Sequence, residues 1–436
     1  MKRVAFHTLG CKVNQYETQA MIELFKEAGY WLVKDMDIAD VYVINTCTVT
    51  NMGDRKSRQF IRRARRNNPS AIIAVVGCYS QVAPGEVEDI DEVNIILGTR
   101  HRSRIVDLVE GCGINEKINA VDNIMDTREI EDISIKDQQE QTRAFLKIQD
   151  GCNRYCSYCI IPYARGPIKS RQKSQVIKEV RRLVEKGFKE IVLTGIHVAS
   201  YGKDFNNENG LLELLTAINS IDGLERIRLS SLEPTLFTDD FLQELTSIGR
   251  LCRHFHLSLQ SGCDKILKKM NRKYSSVEFK EIVERIRKSY PQIALTTDII
   301  VGFPGETRED FEETYNFVRE IAFSDIHVFK YSPRRGTPAA SFKNQVNGND
   351  KQIRSKELIA LGRELNKQYR AQFIGKTKEV LIETESRDHK NCMEGFTDNY
   401  LKVVMKGDAS LEGQIKNVLL KTLNKGIIFG EIIQNS

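Results

Sequence analysis

The sequence predicts an α/β protein in three parts: an open parallel-sheet domain over residues 1–111, a central domain of six βα units over 142–371, and a small all-β domain over 372–436. Three observations carry this. Short apolar runs alternate with amphipathic stretches through the first hundred or so residues, and the same rhythm resumes at Thr142. After Gly375 it gives way to short β-like runs divided by Gly- and Asp-containing turns. With 436 residues, 41% of them apolar, the chain can bury several cores.

In chain order, the runs Val4–Phe6, Val41–Ile44 and Ile72–Val76 read as strands of a covered parallel sheet, and Glu17–Glu27 and Arg55–Arg66 as helices. Residues 112–141 lose this pattern, because Asn, Asp, Glu and Lys interrupt any long apolar face; they read as a linker with room for a short extended piece. The six central strands are Phe145–Ile148, Ile191–Thr194, Ile227–Ser230, His254–Leu259, Ala294–Val301 and Ile326–Phe329. Amphipathic stretches such as Val176–Glu185 separate them, a pattern that fits either a sheet or an incomplete barrel. A helical run from Lys351 to Phe373 leads away to the β-like pieces Glu379–Glu383, Tyr400–Val404 and Val418–Leu420.

The 65 Lys and Arg against 59 Asp and Glu leave a formal charge of +6, compatible with a polyanionic partner but too small to identify one. Ten cysteines over this length are too sparse for a disulfide scaffold. The N-terminus reaches polar residues too soon for a secretory signal, and no segment resembles a membrane span. A cytoplasmic chain is expected, with no membrane partner and with reduced cysteines free to bind metal.

The sharpest local signal is Cys152, Cys156 and Cys159, a C-x3-C-x2-C spacing directly after a predicted strand. Three soft thiolates can hold three irons of a cubane and leave the fourth without a protein ligand. Structural zinc would want a fourth ligand, and none follows nearby in sequence. Unligated thiols are the remaining reading. The spacing, Tyr158 just before Cys159 and the six βα units resemble the radical S-adenosylmethionine superfamily. That resemblance implies a partial (β/α)6 barrel, a [4Fe-4S] cluster, and reductive cleavage of S-adenosylmethionine to a 5′-deoxyadenosyl radical.

A second set, Cys11, Cys47 and Cys78, is dispersed in sequence, yet each residue falls just past a predicted strand, the edge where open α/β sheets bind ligands. Three buried core cysteines would be the plain alternative. Their settings are polar or turn-forming, however: Leu9-Gly10-Cys11-Lys12-Val13-Asn14-Gln15, Asn45-Thr46-Cys47-Thr48 and Gly77-Cys78-Tyr79. Together with the first set and the β-module, these segments resemble the tRNA methylthiotransferases. The stretch Leu9 to Thr18 is similar to the branch acting on N6-threonylcarbamoyladenosine at tRNA position 37.

The resemblance implies two [4Fe-4S] clusters and two molecules of S-adenosylmethionine, one donating methyl and one the radical. A methylthio group then replaces the C2 hydrogen. It further implies a low-potential electron donor, a sulfur source, a tRNA-binding TRAM-like module over 372–436, and a monomer. Isopentenyladenosine in tRNA or a ribosomal protein as substrate, and a non-catalytic RNA-binding iron–sulfur protein, are the alternatives.

For S-adenosylmethionine itself, the superfamily likeness points to Tyr158 and to Gly195 in Leu193-Thr194-Gly195-Ile196-His197; Ser230, Glu233 and Gln260 end the next two strands in the same mouth. Asp298–Thr307 resembles the segment beside the adenine, and its Gly-Phe-Pro-Gly series lacks the Lys-Ser or Lys-Thr of a phosphate loop. No catalytic acid or base is assigned. Phosphate contacts are expected from Arg55, Lys56, Arg58, Arg62, Arg63, Arg65 and Arg66, and from Arg165, Lys169, Arg171 and Lys173. Cys112, Cys252, Cys263 and Cys392 read as ordinary thiols.

Overall fold

The computed structural model describes residues 1–35, 37–131, 133, 135 and 142–433, so residues 136–141 of the expected linker and the last three residues lie outside the described chain. The N-terminal sheet contains β1 (Arg3–Thr8), β2 (Trp31–Val33), β3 (Val41–Thr46), β4 (Ile72–Gly77), β5 (Ile95–Leu97) and β6 (Ile118–Ala120). All are parallel, in the spatial order β2-β1-β3-β4-β5-β6. Every residue of β3 and β4 is buried because both faces are covered. Val41 and Val43 pack with Met21 and Phe25 of the helix Lys12–Glu27, while Tyr42 and Ile44 pack with Ile61 and Ala64 of the helix Asn51–Asn67.

The strands β2, β5 and β6 have no counterpart among the sequence-predicted strands. Each is three residues long, too short to show a period. The last of them carries the sheet past residue 111 into the stretch read as a linker.

The central strands are β7 (Arg143–Lys147), a small antiparallel pair β8 (Gln149–Asp150) and β9 (Lys169–Ser170), then β10 (Glu190–Thr194), β11 (Arg226–Leu229), β12 (His254–His256), β13 (Ala294–Val301) and β14 (Asp325–Lys330). They form two parallel trios, β7-β10-β11 and β12-β13-β14, linked by bridges Ile227↔Leu251 and Leu232↔Leu257. No ladder among the described residues joins β7 to β14, so the choice between sheet and barrel resolves to an open arc, a partial (β/α) barrel.

Alternation along these strands separates its two walls. Ala144, Leu146, Ile191, Leu193, Ile227 and Leu229 pack outward under the helices. The intervening residues face inward, and Phe145, Val192 and Arg228 stand in one register row. That inner wall is polar, with Arg143, Glu190, Arg228, His256, Asp298 and His327 on it.

The helix Gly348–Ala371 leads to a closed barrel of β15 (Thr377–Glu385), β16 (Cys392–Thr397), β17 (Lys402–Lys406), β18 (Ile415–Asn424) and β19 (Ile427–Ile432), in the order β15-β16-β17-β19-β18. It is TRAM-like and docks at the starts of the central strands. Arg226 donates to the Phe396 carbonyl and Arg228 to the Asp398 carbonyl, both at 3.0 Å. Tyr400 stacks on His254, with ring centroids 4.6 Å apart. One end of the arc is thus plugged, and the other holds the cysteine loops.

Candidate active site

Strand adjacency assembles the dispersed cysteines. Because β1, β3 and β4 are neighbours, with Thr8 paired to Asn45 and Thr46 to Gly77, the residues just beyond them meet at one sheet edge. A side chain on Gly10 would lie 2.9 Å from Cys47 Cβ, and one on Gly77 would lie 2.7 Å from the Thr46 carbonyl; both glycines also have positive φ. Only glycine lets the Cys11 and Cys78 loops close this tightly. Burial, with Cys78 adding to it, pushes the Cys47 thiol up to about 12. The same cause raises Cys78, with Cys11 among its charged neighbours.

The second set is local. Cys152 follows β8, and the chain then turns so that Arg154 N–H donates to Cys152 Sγ at 3.4 Å. Burial, followed by the nearness of Cys156, pushes Cys159 up to about 12, and burial pushes Cys152 up to about 11. Burial thus raises Cys47 and Cys78 in one set and Cys152 and Cys159 in the other, so a metal must displace protons from these thiols to bind. The donor sets fit soft iron–sulfur ligation, three thiols each and an arginine aimed at one of them. Arg165 Nε donates to Cys78 Sγ and Arg272 Nη1 to Cys156 Sγ, each at 3.3 Å.

Arg165 also ties the two sets together. It sits six residues after Cys159, is fully buried, and crosses into the N-terminal domain. There it meets Glu17 at 2.5 Å and donates to Asn14 Oδ1 at 2.6 Å, while its 3.3 Å contact with Asp150 stays beside the Cys152 loop. Lys147 bridges the same two carboxylates at 2.6 Å each, and Arg102 closes on Glu17 at 3.0 Å. Burial opposes the charge on Glu17, but Arg102, Arg165 and Lys147 outweigh it and hold its carboxyl at about 2. Arg334 makes a second crossing, 2.6 Å from Asp54. Beside both cysteine sets lies a cleft of about 640 Å³ whose lining includes Tyr79, next to Cys78, and Ile160, next to Cys159.

Of the residues expected around S-adenosylmethionine, Tyr158, Gly195 and Glu233 are tied to the Cys152 loop, each with different surroundings. Ser230 Oγ is buried without a partner among the described residues, as a ligand contact would leave it. Glu233 accepts from Arg272 Nη2 at 3.1 Å on both oxygens, so the arginine that reaches Cys156 also reaches this carboxylate. Tyr158 packs against a small apolar cluster that includes Cys263, Ile266 and Phe303. Gln260 adopts a φ of 73° where it bridges to β13. The space in front of Gly195 is taken by Gln149, whose Oε1 would lie 2.9 Å from an added Cβ. That side chain also accepts from His197 N–H at 2.7 Å, so packing on Gln149 accounts for the glycine.

The two basic groups divide. Arg55, Lys56, Arg62, Arg63 and Arg66 are exposed on the helix Asn51–Asn67, as a phosphate-binding face requires. Arg58 instead donates to Tyr79 Oη at 2.8 Å, and Arg65 donates to the carbonyls of Pro69, Ala71 and Glu92. The expectation for the second group is corrected: Arg165, Lys169 and Arg171 are buried, and Arg171 pairs with Glu179 at 2.8 Å. Only Lys173 of that group is exposed. Their spacing concealed this, because buried partners for a cation come from distant parts of the chain.

Sequence reasoning missed Glu17, Gln149, Arg165 as a bridge and Arg272. It also missed His256, Asp298 and His327, whose ligand-type atoms lie within 4.8 Å of one another on the inner wall. The position of Asp150 two residues before Cys152 was the one available hint.

Residues 146–318 match the radical SAM superfamily, and residues 3–98 match the uncharacterized protein family UPF0004. The chain is 46% identical over 435 residues to the threonylcarbamoyladenosine tRNA methylthiotransferase MtaB of Bacillus subtilis (strain 168), covering 99% of this chain and 96% of that one. It is 40% identical to the protein of the same name in Aquifex aeolicus (strain VF5), covering 96% and 100%. A tRNA-2-methylthio-N(6)-dimethylallyladenosine synthase of Clostridium botulinum (strain Okra / Type B1) is 36% identical, covering 98% and 96%. Among solved structures, the radical S-adenosylmethionine methyltransferase TsrM from Kitasatospora setae shares the fold at 16% identity, with a TM-score of 0.55 over 78% of this chain and 77% of that one. Near-complete coverage at this identity, joined to a radical-SAM core and a TRAM-like barrel, means that the chain belongs to the radical-SAM tRNA methylthiotransferase family, in its threonylcarbamoyladenosine branch.

Proposed function

We propose that the protein replaces the C2 hydrogen of N6-threonylcarbamoyladenosine at tRNA position 37 with a methylthio group. The observation that carries this reading is the pair of cysteine triads, each with an arginine on one sulfur, joined across the domain boundary by Arg165. In this reading Cys152, Cys156 and Cys159 hold one [4Fe-4S] cluster, and Cys11, Cys47 and Cys78 hold a second. When bound, the clusters and two molecules of S-adenosylmethionine supply the hydrogen-abstracting radical and the methylated sulfur that replaces the hydrogen.

The chain's own part is to bind, orient and exclude water. Arg272 and Arg165 each donate to a ligand sulfur and offset its negative charge. Ser230, Glu233, Gln260, Tyr158 and Gly195 border the S-adenosylmethionine site. The unpartnered Ser230 hydroxyl supports that assignment; Gly195 contributes through Gln149, which it positions. No side chain is assigned as acid or base. Exposed cations of the helix Asn51–Asn67 and the TRAM-like barrel receive the tRNA. An external low-potential donor supplies electrons, a separate source supplies sulfur, and the chain works in the cytoplasm as a monomer. Functional units follow the cysteines: an N-terminal unit for the second cluster, residues 142–371 for radical formation and 372–436 for RNA.

The test is a paired measurement on anaerobically reconstituted protein, with folding and iron checked first. Cys156→Ala is expected to abolish both 5′-deoxyadenosine and methylthiolated tRNA. Cys47→Ala is expected to keep cofactor cleavage and lose sulfur insertion. Methylthiolation by folded Cys47→Ala protein would overturn the second cluster, and cofactor cleavage by Cys156→Ala would overturn the first. Mass analysis of tRNA nucleosides from cells lacking the protein, and from cells with it restored, tests the substrate.

A further inference from the structure

Among the described residues, Lys12 is the cation of its neighbourhood that has no carboxylate of its own. It follows Cys11 as the first residue of the helix Lys12–Glu27, whose first turn carries no acidic side chain. The half-buried side chain crosses to the central domain, where its Nζ lies 5.7 Å from the centre of the Phe145 ring. Phe145 belongs to the inner wall of the arc, in register with Val192 and Arg228. Arg143, Arg228, Glu190 and Tyr400 are its charged or polar surroundings.

The arginines there are already matched. Arg143 Nε stands 2.5 Å from Glu383, and Arg228 Nε stands 2.6 Å from Glu190. Lys12 has no hydrogen bond or ion pair among the described residues. An ammonium withdrawn from bulk water, at the positive end of a helix and beside two further cations, is a receptor for an anion. Its place beside Cys11, with the ammonium over the inner-wall ring of Phe145, puts that receptor between a proposed cluster ligand and the interior of the arc.

The chemistry of the anion follows from the substrate. An N6-threonylcarbamoyl group ends in the α-carboxylate of a threonine. A dimethylallyl group on the same nitrogen, as named for the 36% identical relatives, is uncharged and apolar. We infer that Lys12 binds the threonine carboxylate of the target nucleoside and so selects threonylcarbamoyladenosine over adenosines with an apolar or absent N6 group. This rests on the substrate assigned above. It makes Lys12 a specificity residue that acts through binding.

The experiment uses the cluster-loaded full chain, without reductant, and anticodon stem-loop RNA with or without N6-threonylcarbamoyl at position 37. Fluorescence anisotropy gives the two dissociation constants. The wild-type protein is expected to favour the modified RNA by about tenfold or more, the scale of a charge-assisted hydrogen bond. In Lys12→Gln that ratio falls to near one with binding of the unmodified RNA unchanged, and Lys12→Arg restores most of it. In turnover, Lys12→Gln raises KM with little change in kcat.

A variant-independent arm uses RNA whose threonyl carboxylate is a methyl ester, which wild-type protein should bind no better than unmodified RNA. A ratio kept intact in Lys12→Gln, equal weakening of both RNAs, or full affinity for the ester would each overturn the inference. Equal weakening would mark Lys12 as a phosphate contact. Wild-type protein that fails to methylthiolate the modified RNA at all would instead overturn the substrate assignment.

Discussion

Glu17 shows how much one buried carboxylate can be asked to hold. It has no exposed surface and meets Arg102, Lys147 and Arg165 within 3.0 Å, two of them from the central domain. Replacing it with Gln removes the charge and leaves those cations facing one another, so Glu17→Gln is expected to cost ~3–5 kcal/mol in urea unfolding. A loss under about 1 kcal/mol would contradict the network's role. The pH dependence follows from the same group. Its folded value near 2 lies below the ordinary glutamate value of about 4.3, so its contribution is complete above about pH 4.3 and is lost as pH falls towards 2. Unfolding curves of wild type and Glu17→Gln should therefore converge across that interval.

The helix Asn51–Asn67 illustrates what an element adds to its residues. Thr50 caps it by accepting from Gly53 N–H, and Ile61 and Ala64 fasten it to the sheet. That orientation exposes Arg62 and Arg66 one turn apart and turns Arg65 inward to three carbonyls and Asn94. Arg62→Ala and Arg66→Ala are expected to weaken binding of all tRNAs alike and to lower the salt dependence of log Kd by about 1 each. Arg65→Ala should lower the melting temperature and leave that slope unchanged. Affinity titrations at several salt concentrations separate the two outcomes. The basic run is plain in the sequence, but its division into RNA-facing and structural members depends on which helix face meets the sheet.

At the scale of the whole molecule, three units are locked by side chains that cross boundaries. Arg165 and Arg334 pin the N-terminal sheet to the central arc, and Tyr400 pins the β-barrel to it. The Tyr400 ring also lies 4.8 Å from the Arg228 guanidinium and 5.0 Å from the Phe396 ring. Tyr400→Ala should cost about 3 kcal/mol and open the junction near residues 372–376 to protease, because an aromatic ring and its cation–π contacts are lost together. A digestion pattern identical to wild type would show that the barrel docks without it. No helix among the described residues is long and apolar enough to cross a membrane.

The elements that were legible in advance owe it to local physics. The runs that became β3 and β4, the apolar face of Glu17–Glu27 in a helix that the structure starts at Lys12, and the spacing of Cys152, Cys156 and Cys159 are properties of neighbouring residues, and neighbouring residues are what a sequence displays. Cys11, Cys47 and Cys78 were legible as strand-end residues. Their meeting depends on β1, β3 and β4 being adjacent, which strand order decides. The three-residue strands carried too little pattern to be read, and the buried cations looked like surface charge. Arg165 finds Cys78 across 87 residues and Glu17 across 148. A side chain's partner at such separations is set by the path of the folded chain, so the sequence alone determined the kinds of groups present, and only the tertiary structure decided which of them face one another.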